Sequence, residues 1–141
     1  MIRALILLTV LATPAGAQSV FDRAAGLYGS ATDPAASCTT NPHHLAFMAA
    51  PPHAIFTWAH PVQDHVGQTR AHARYDILAY DDSSITLRLE GQDLHTDSGG
   101  QAIWILRLTS NPEGYCWGRT DWPDVRCVEP AVRCGEQAPT S

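Results

Sequence analysis

Six histidines between positions 43 and 72 are the first candidates for chemistry in this chain: His43, His44, His53, His60, His65 and His72. A zinc or copper site needs three or four ligands that converge on one point. No His-x-His pair occurs, and adjacent residues on a strand point to opposite faces. Only folding could therefore gather His60, His65 and His72, which are the candidate ligands of a periplasmic metal-binding protein. Solvated strand ends and loops are the alternative for all six side chains.

A second candidate is the segment from Thr96 to Gly100, which has the sequence TDSGG and follows His95. Its Asp-Ser-Gly-Gly resembles the nucleophile segment of trypsin-like proteases. That family needs two barrels, about twice this chain length, and a histidine and an aspartate far upstream of the serine. The same residues are typical of a hairpin loop. We therefore predict a loop here and no protease.

Four carboxylates in the C-terminal third could serve as general acids or bases: Glu113, Asp121, Asp124 and Glu129. The sequence pairs none of them with a nucleophile, and carboxylates in loops are usually solvated. We predict that the protein is not an enzyme and that it uses no cofactor.

The cysteines Cys38, Cys116, Cys127 and Cys134 form an even set. In an exported domain such a set predicts two disulfides. Without a C-x-x-C pair, neither a zinc site nor a reactive thiol is favoured. Two pairings look natural: Cys38–Cys134 with Cys116–Cys127, or Cys38–Cys116 with Cys127–Cys134. The first is preferred, because it ties down both ends of an irregular C-terminal flap that begins near Pro123.

The first 17 residues have the pattern of a secretory signal peptide. Arg3 precedes an apolar run from Ala4 to Ala12, and Ala15-Gly16-Ala17 provides small residues for cleavage after Ala17. The run is too short to span a bilayer. We therefore predict a periplasmic or secreted protein with one domain, residues 18–141, and a flexible tail at 136–141.

Charge restricts the partners of this chain. All nine basic residues are arginines, and they stand against fourteen acidic residues. An acidic chain without a basic run argues against nucleic acid and anionic membranes as partners. The expected partner is an unknown small ligand or another protein.

Alternation with a period of two residues predicts strands. In the segment 69–80 alanine, tyrosine and isoleucine alternate with charged residues, and in 84–91 isoleucine and leucine alternate with polar ones. If Tyr80 pairs with Ser84, two pairs of opposite charge face each other on the outer side, Asp76 with Arg88 and Arg74 with Glu90. Similar but shorter patterns predict a single all-β domain of about seven or eight antiparallel strands, either a small barrel or a sandwich.

The segment GLYGS at positions 26–30 resembles the Gly-x-Trp motif that opens lipocalin-type barrels, with Tyr28 in the place of tryptophan. In that superfamily an arginine on a late strand stacks on the aromatic ring. Arg119 is the matching candidate, with Arg107 second. The chain is also similar to small secreted proteobacterial barrels.

The resemblance implies a non-enzymatic binding module for a small apolar ligand or for a protein, for example as an inhibitor. The candidate interior consists of Ala71, Ala73, Tyr75 and Trp104, whose small members leave room for a ligand or for large neighbours. A metal-binding protein and a structural envelope protein are the alternatives.

Overall fold

The computed structural model describes residues 18–64, 67–92 and 94–135. The predicted signal peptide at 1–17, the candidate ligand His65 and the tail at 136–141 lie outside the described residues. A short helix and a 3₁₀ turn accompany the strands: α1 (Val20–Ala24) and η1 (Pro34–Ala36). The strands are β1 (Gly26–Ser30), β2 (His43–Ala49), β3 (Pro52–Gln63), β4 (Thr69–Tyr80), β5 (Ser84–Leu89), β6 (Trp104–Ser110), β7 (Glu113–Arg119) and β8 (Val128–Arg133).

These strands form a closed antiparallel barrel in which each strand pairs with its neighbours in sequence and β8 pairs with β1. The last pairing sets Tyr28 opposite Arg133 and Ser30 opposite Ala131. Closure leaves the described sheet without an unpaired edge. The all-β prediction is confirmed, and of the two predicted architectures, barrel and sandwich, the structure has the barrel.

The hairpin of β4 and β5 has the predicted register over most of its length. Asp76 faces Arg88, and the two side chains form an ion pair of 3.2 Å. The side chains of Arg74 and Glu90 also pair at 3.2 Å. The register shifts by one residue beyond Ile77, so Tyr80 lies opposite Ile85 and not opposite Ser84.

The turn between β4 and β5 depends on Asp81. Its carboxylate accepts the backbone N–H groups of Ser83 and Ser84, both at 2.8 Å. These hydrogen bonds stabilise the ionised form and lower the pKa of Asp81. The aspartate thus forms the loop that its residue type predicts.

The chain after Pro123 is more regular than predicted. Val128–Arg133 is strand β8, which completes the barrel between β7 and β1. Pro130 is tolerated there because the register with β7 shifts between the pairs Trp117–Val128 and Tyr115–Ala131. A proline at such an irregularity does not remove a needed ladder hydrogen bond. The prediction of an irregular C-terminal flap therefore holds only for the link between β7 and β8.

Both disulfides are present, in the preferred pairing. Cys38 bonds to Cys134 and Cys116 to Cys127, each with a Cα–Cα distance of 5.5 Å. The second bond closes the link between β7 and β8 against the wall of the barrel. Two disulfides indicate an oxidising compartment outside the cytoplasm.

One end of the barrel is closed by α1. A capping box fixes the start of the helix, in which Ser19 accepts the N–H of Asp22 and the Asp22 carboxylate accepts the N–H of Ser19. Val20 and Ala24 are buried in the core, and the ring of Phe21 contacts Phe47 at 5.3 Å. The described parts of the longer links, at 31–42, 64, 67–68, 90–92, 94–103 and 120–127, lie at the opposite end. None of the helices in the described part of the chain has the length and apolar character needed to cross a bilayer.

Candidate functional site

At the closed end an arginine packs on Tyr28, as the resemblance implies, but this arginine is Arg133 and not Arg119. The Arg133 guanidinium lies 4.9 Å from the centre of the Tyr28 ring and donates to the Tyr28 hydroxyl at 2.9 Å. It also donates to the carbonyl of Ala25 at 2.9 Å and to the carbonyl of Arg23, which ties it to the end of α1. The β1–β8 pairing makes this contact direct, whereas Arg119 lies opposite Trp104 at the other end of the barrel.

Arg119 has a different role at the open end. Its guanidinium lies 5.5 Å from the centre of the Trp104 ring and 5.0 Å from that of Trp122. Two hydrogen bonds of 2.9 and 2.7 Å join it to the Asp121 carboxylate and lower the pKa of Asp121. Arg119 therefore anchors the β7–β8 link to the rim. The second candidate, Arg107, packs on Gly118 and donates to the carbonyl of Asp124.

A cavity opens at the end opposite α1 and has two adjoining lobes of about 480 and 450 Å³. Both lobes are lined by Trp58, Tyr75, Trp117 and Glu129, so these four residues form their common wall. The first lobe continues towards the rim, where its further lining is Val62, Gln63, Asp64, Gln68, Arg70, Ala73, Leu89, Gly91, Gln92, Leu94 and Trp104. The second lies under the β1–β2 link and is lined further by Ser30, Thr32, Asp33, Ala36, His43, Phe56, Tyr115 and Ala131.

Aromatic rings around the first lobe pack on one another both edge to face and stacked. Trp104 and Trp117 are nearly perpendicular, at 79° with ring centres 6.1 Å apart. Tyr75 stacks on Trp117 at 5.7 Å and 25°. Rings in such an arrangement form the walls of a box and present π faces as well as edges to a guest.

Gln92 holds Trp104 in its place in the wall. The buried Gln92 amide accepts the indole N–H of Trp104 at 3.0 Å and donates to the carbonyl of Ala102 at 2.6 Å. The polar edge of this indole is thus satisfied within the protein. What Trp104 offers to a ligand is the surface of its ring.

His43 lies at the inner end of the second lobe, within the aromatic core. It is 8% exposed and shares a 2.5 Å hydrogen bond with the Tyr115 hydroxyl. Burial lowers the pKa of His43 to about 4, so the imidazole is neutral at physiological pH. Burial also raises the pKa of Tyr115 and of Tyr75, and both phenols stay protonated. The inner end of the cavity is therefore uncharged.

Glu129, an exposed residue near the start of β8, adds a negative charge to the lining nearer the open end. It has a left-handed backbone with φ of 50°, the one positive φ among the described non-glycine residues. Such a backbone costs about 1–3 kcal/mol and persists only where the surroundings fix it. Glu129 borders both lobes together with Tyr75, and its negative charge adds to the effect of burial, which raises the pKa of Tyr75 and of Tyr115.

The sequence-predicted interior is largely a wall of this cavity. Ala73, Tyr75 and Trp104 line the first lobe, and Ala73 lies opposite Phe56 across the β3–β4 pair. Ala71 is half-buried and does not belong to the lining. Sequence reasoning did not point to Gln92 and did not place His43 or Glu129 at a cavity, although it named both as candidates for other chemistry. For His43 a signal exists, because it alternates with the buried Leu45 on β2.

The histidines do not form the predicted metal site in the described structure. His60 and His72 are exposed, and no three His, Cys, Asp or Glu residues of the described chain are close enough to hold a metal. His65 lies outside the described residues. The expectation that the six are solvated is wrong for His43 and also for His53, which is buried and bonds through Nδ1 to the carbonyl of Pro51 at 2.6 Å.

The TDSGG segment forms a tight loop closed by a bridge between His95 and Gln101. The Thr96 N–H donates to the carbonyl of Gly100, and the Ser98 hydroxyl shares a 2.9 Å hydrogen bond with that of Thr96. Gly99 has φ of 85°, which favours glycine. Local turn geometry thus accounts for these residue types.

Comparison with protein families, with curated proteins and with solved structures finds no match to this chain. A function for this chain is therefore inferred from its barrel and its cavity.

Proposed function

We propose that this protein is an exported, non-enzymatic binding protein that holds a small apolar ligand in the open half of its barrel. The observation that carries the proposal is the aromatic-lined cavity, whose lobes of about 480 and 450 Å³ lie within the usual range of ligand sites. Its inner end is closed by the core and α1, and its outer end is bordered by the long links. This is the architecture of a cup.

The closed end supports the lipocalin-type resemblance. Gly26, Tyr28 and Arg133 reproduce the association of an opening glycine–aromatic pair with a late arginine, and the resemblance implies ligand binding inside the barrel. The two disulfides support export, as does the predicted signal peptide at 1–17. A protein-binding or purely structural role would not need an aromatic cavity, so the small ligand is favoured.

The test is a fluorescence titration of the disulfide-bonded protein with the neutral apolar dye N-phenyl-1-naphthylamine. Trp58, Trp104 and Trp117 line the cavity and serve as internal reporters. We expect saturable 1:1 binding, with enhanced dye emission and quenched tryptophan emission. Linear, unsaturable uptake of the dye would refute an internal site.

A further inference from the structure

The aromatic rings of the cavity wall present π faces to the cavity, and the polar N–H of one of them is bonded within the protein. Trp104 gives its N–H to Gln92, and Trp104 and Trp117 meet at 79°. A cation within about 6 Å of such faces is attracted by the ring quadrupoles, and most strongly by tryptophan. Trp58, Tyr75 and Trp117 line this space together with Trp104, which already has the Arg119 guanidinium 5.5 Å from its ring centre. The rings that carry no cation are suited to a positively charged guest.

The charges of the cavity lining also favour a positively charged guest. In the first lobe Asp64 and Arg70 neutralise each other through an ion pair of 2.6 Å. In the second lobe the ionisable groups are Asp33, Glu129 and His43, and the imidazole is neutral. The excess charge of the lining is thus negative.

Glu129 is the one of these two carboxylates that borders both lobes. Among the described residues its carboxylate has no ion-pair or hydrogen-bond partner, although it borders both lobes. The nearby arginines of the rim have other contacts, since Arg119 is bonded twice to Asp121 and Arg126 packs on Trp122 at 4.0 Å. Asp33 instead accepts the N–H of Ala35 at 2.9 Å.

From this arrangement we infer that the cavity selects organic cations, with an ammonium group held between the tryptophan faces and Glu129 and an apolar body in the adjoining lobe. The inference rests on the proposed function and specifies its ligand class. It gives a role to the exposed carboxylate of Glu129, which has a backbone conformation unfavourable for glutamate and borders both lobes beside Trp58 and Trp117.

The test compares two probes of the same shape, phenyltrimethylammonium and tert-butylbenzene, which differ in one positive charge. Binding of each to the disulfide-bonded protein is measured by displacement of N-phenyl-1-naphthylamine. We expect the cation to bind at least about tenfold more tightly than the neutral isostere.

Substitutions then locate the charge that is responsible. Glu129→Gln is expected to reduce the preference for the cation to about twofold or less while leaving tert-butylbenzene unaffected. Glu129→Gly provides a second variant that the left-handed backbone favours, and its effect on the preference should be the same. Glu90→Gln is the matched control, because Glu90 pairs with Arg74 on the outer wall, and it should keep the full preference.

The outcomes are distinct. Equal binding of the two probes would overturn the cation inference and leave the binding function intact. A preference that persists in both Glu129 variants would also overturn the assignment of Glu129. Failure of the dye and of both probes to bind would instead refute the proposed function.

Discussion

The guanidinium of Arg133 occupies the space that a side chain at Gly26 would need. A Cβ built on Gly26 would overlap Arg133 Nη1, and Gly26 also has φ of 150°, a region that is open to glycine. The glycine and the arginine are therefore one structural unit, which joins α1, β1 and β8.

Gly26→Ala is expected to destabilise the protein by roughly 3 kcal/mol, because backbone strain and overlap with Arg133 act together. The control is Gly99→Ala, at a position with φ of 85° and open space around the built Cβ. That control should cost only about 1 kcal/mol. Urea unfolding measures the free energy of unfolding of both variants. An equal loss of stability in the two variants would show that contact with Arg133 adds nothing to the cost at Gly26.

Sequence periodicity predicted the parts of this fold that depend on neighbouring residues. The β4–β5 hairpin followed from the opposite charges of Asp76 with Arg88 and Arg74 with Glu90, because a slip would break both pairs. The shift beyond Ile77 was not visible, since Leu78 and Ala79 fit either face of a strand. The even number of cysteines likewise predicted two disulfides. The expectation of a C-terminal flap favoured the pairing that the structure has, although much of that segment is strand β8.

The features that the sequence did not predict depend on contacts between distant segments of the chain. β8 was missed because Glu129 and Pro130 interrupt its pattern, and only the barrel closure with β1 gives it a partner. The same closure brings Arg133 to Tyr28, which no local pattern indicates. Glu129 was one of four C-terminal carboxylates in the sequence, and its position at the cavity became evident only from the shift between β7 and β8.

His43 predicts a specific pH dependence of stability. Its pKa is about 4 in the folded protein and about 6.5 in the unfolded chain, so below pH 6.5 the unfolded state binds more protons. The stability contribution is complete above pH 6.5 and is lost as the pH falls towards 4, by on the order of 3 kcal/mol. We expect this loss in denaturant unfolding between pH 7 and pH 4.5.

The matched variants are His43→Gln and His44→Gln, which replace a buried and an exposed neighbour on β2. In His43→Gln the free energy of unfolding should change less with pH across this range. In His44→Gln it should change with pH as it does in the wild type. An unchanged slope in His43→Gln would show that another group is responsible.

The two disulfides should differ in their contributions. Cys38–Cys134 spans 96 residues and Cys116–Cys127 spans 11, and the entropy of the unfolded chain falls more when the closed loop is longer. Replacing both cysteines of a pair by serine should cost about 4–5 kcal/mol for the long loop and about 3 kcal/mol for the short one. Thermal or urea unfolding compares the two variants, and the reverse order would contradict the entropic explanation.

Binding of the ligand inside the barrel is tested by titrating two variants of β4, Ala73→Phe and Ala79→Phe, with N-phenyl-1-naphthylamine. Ala73 lines the cavity and is 8% exposed, whereas Ala79 is exposed at the other end of the same strand. With both variants folded by circular dichroism, Ala73→Phe should weaken dye binding at least about tenfold by filling the first lobe, and Ala79→Phe should bind as the wild type does. Equal binding by the two variants would place the dye on the surface of the protein and contradict binding inside the barrel.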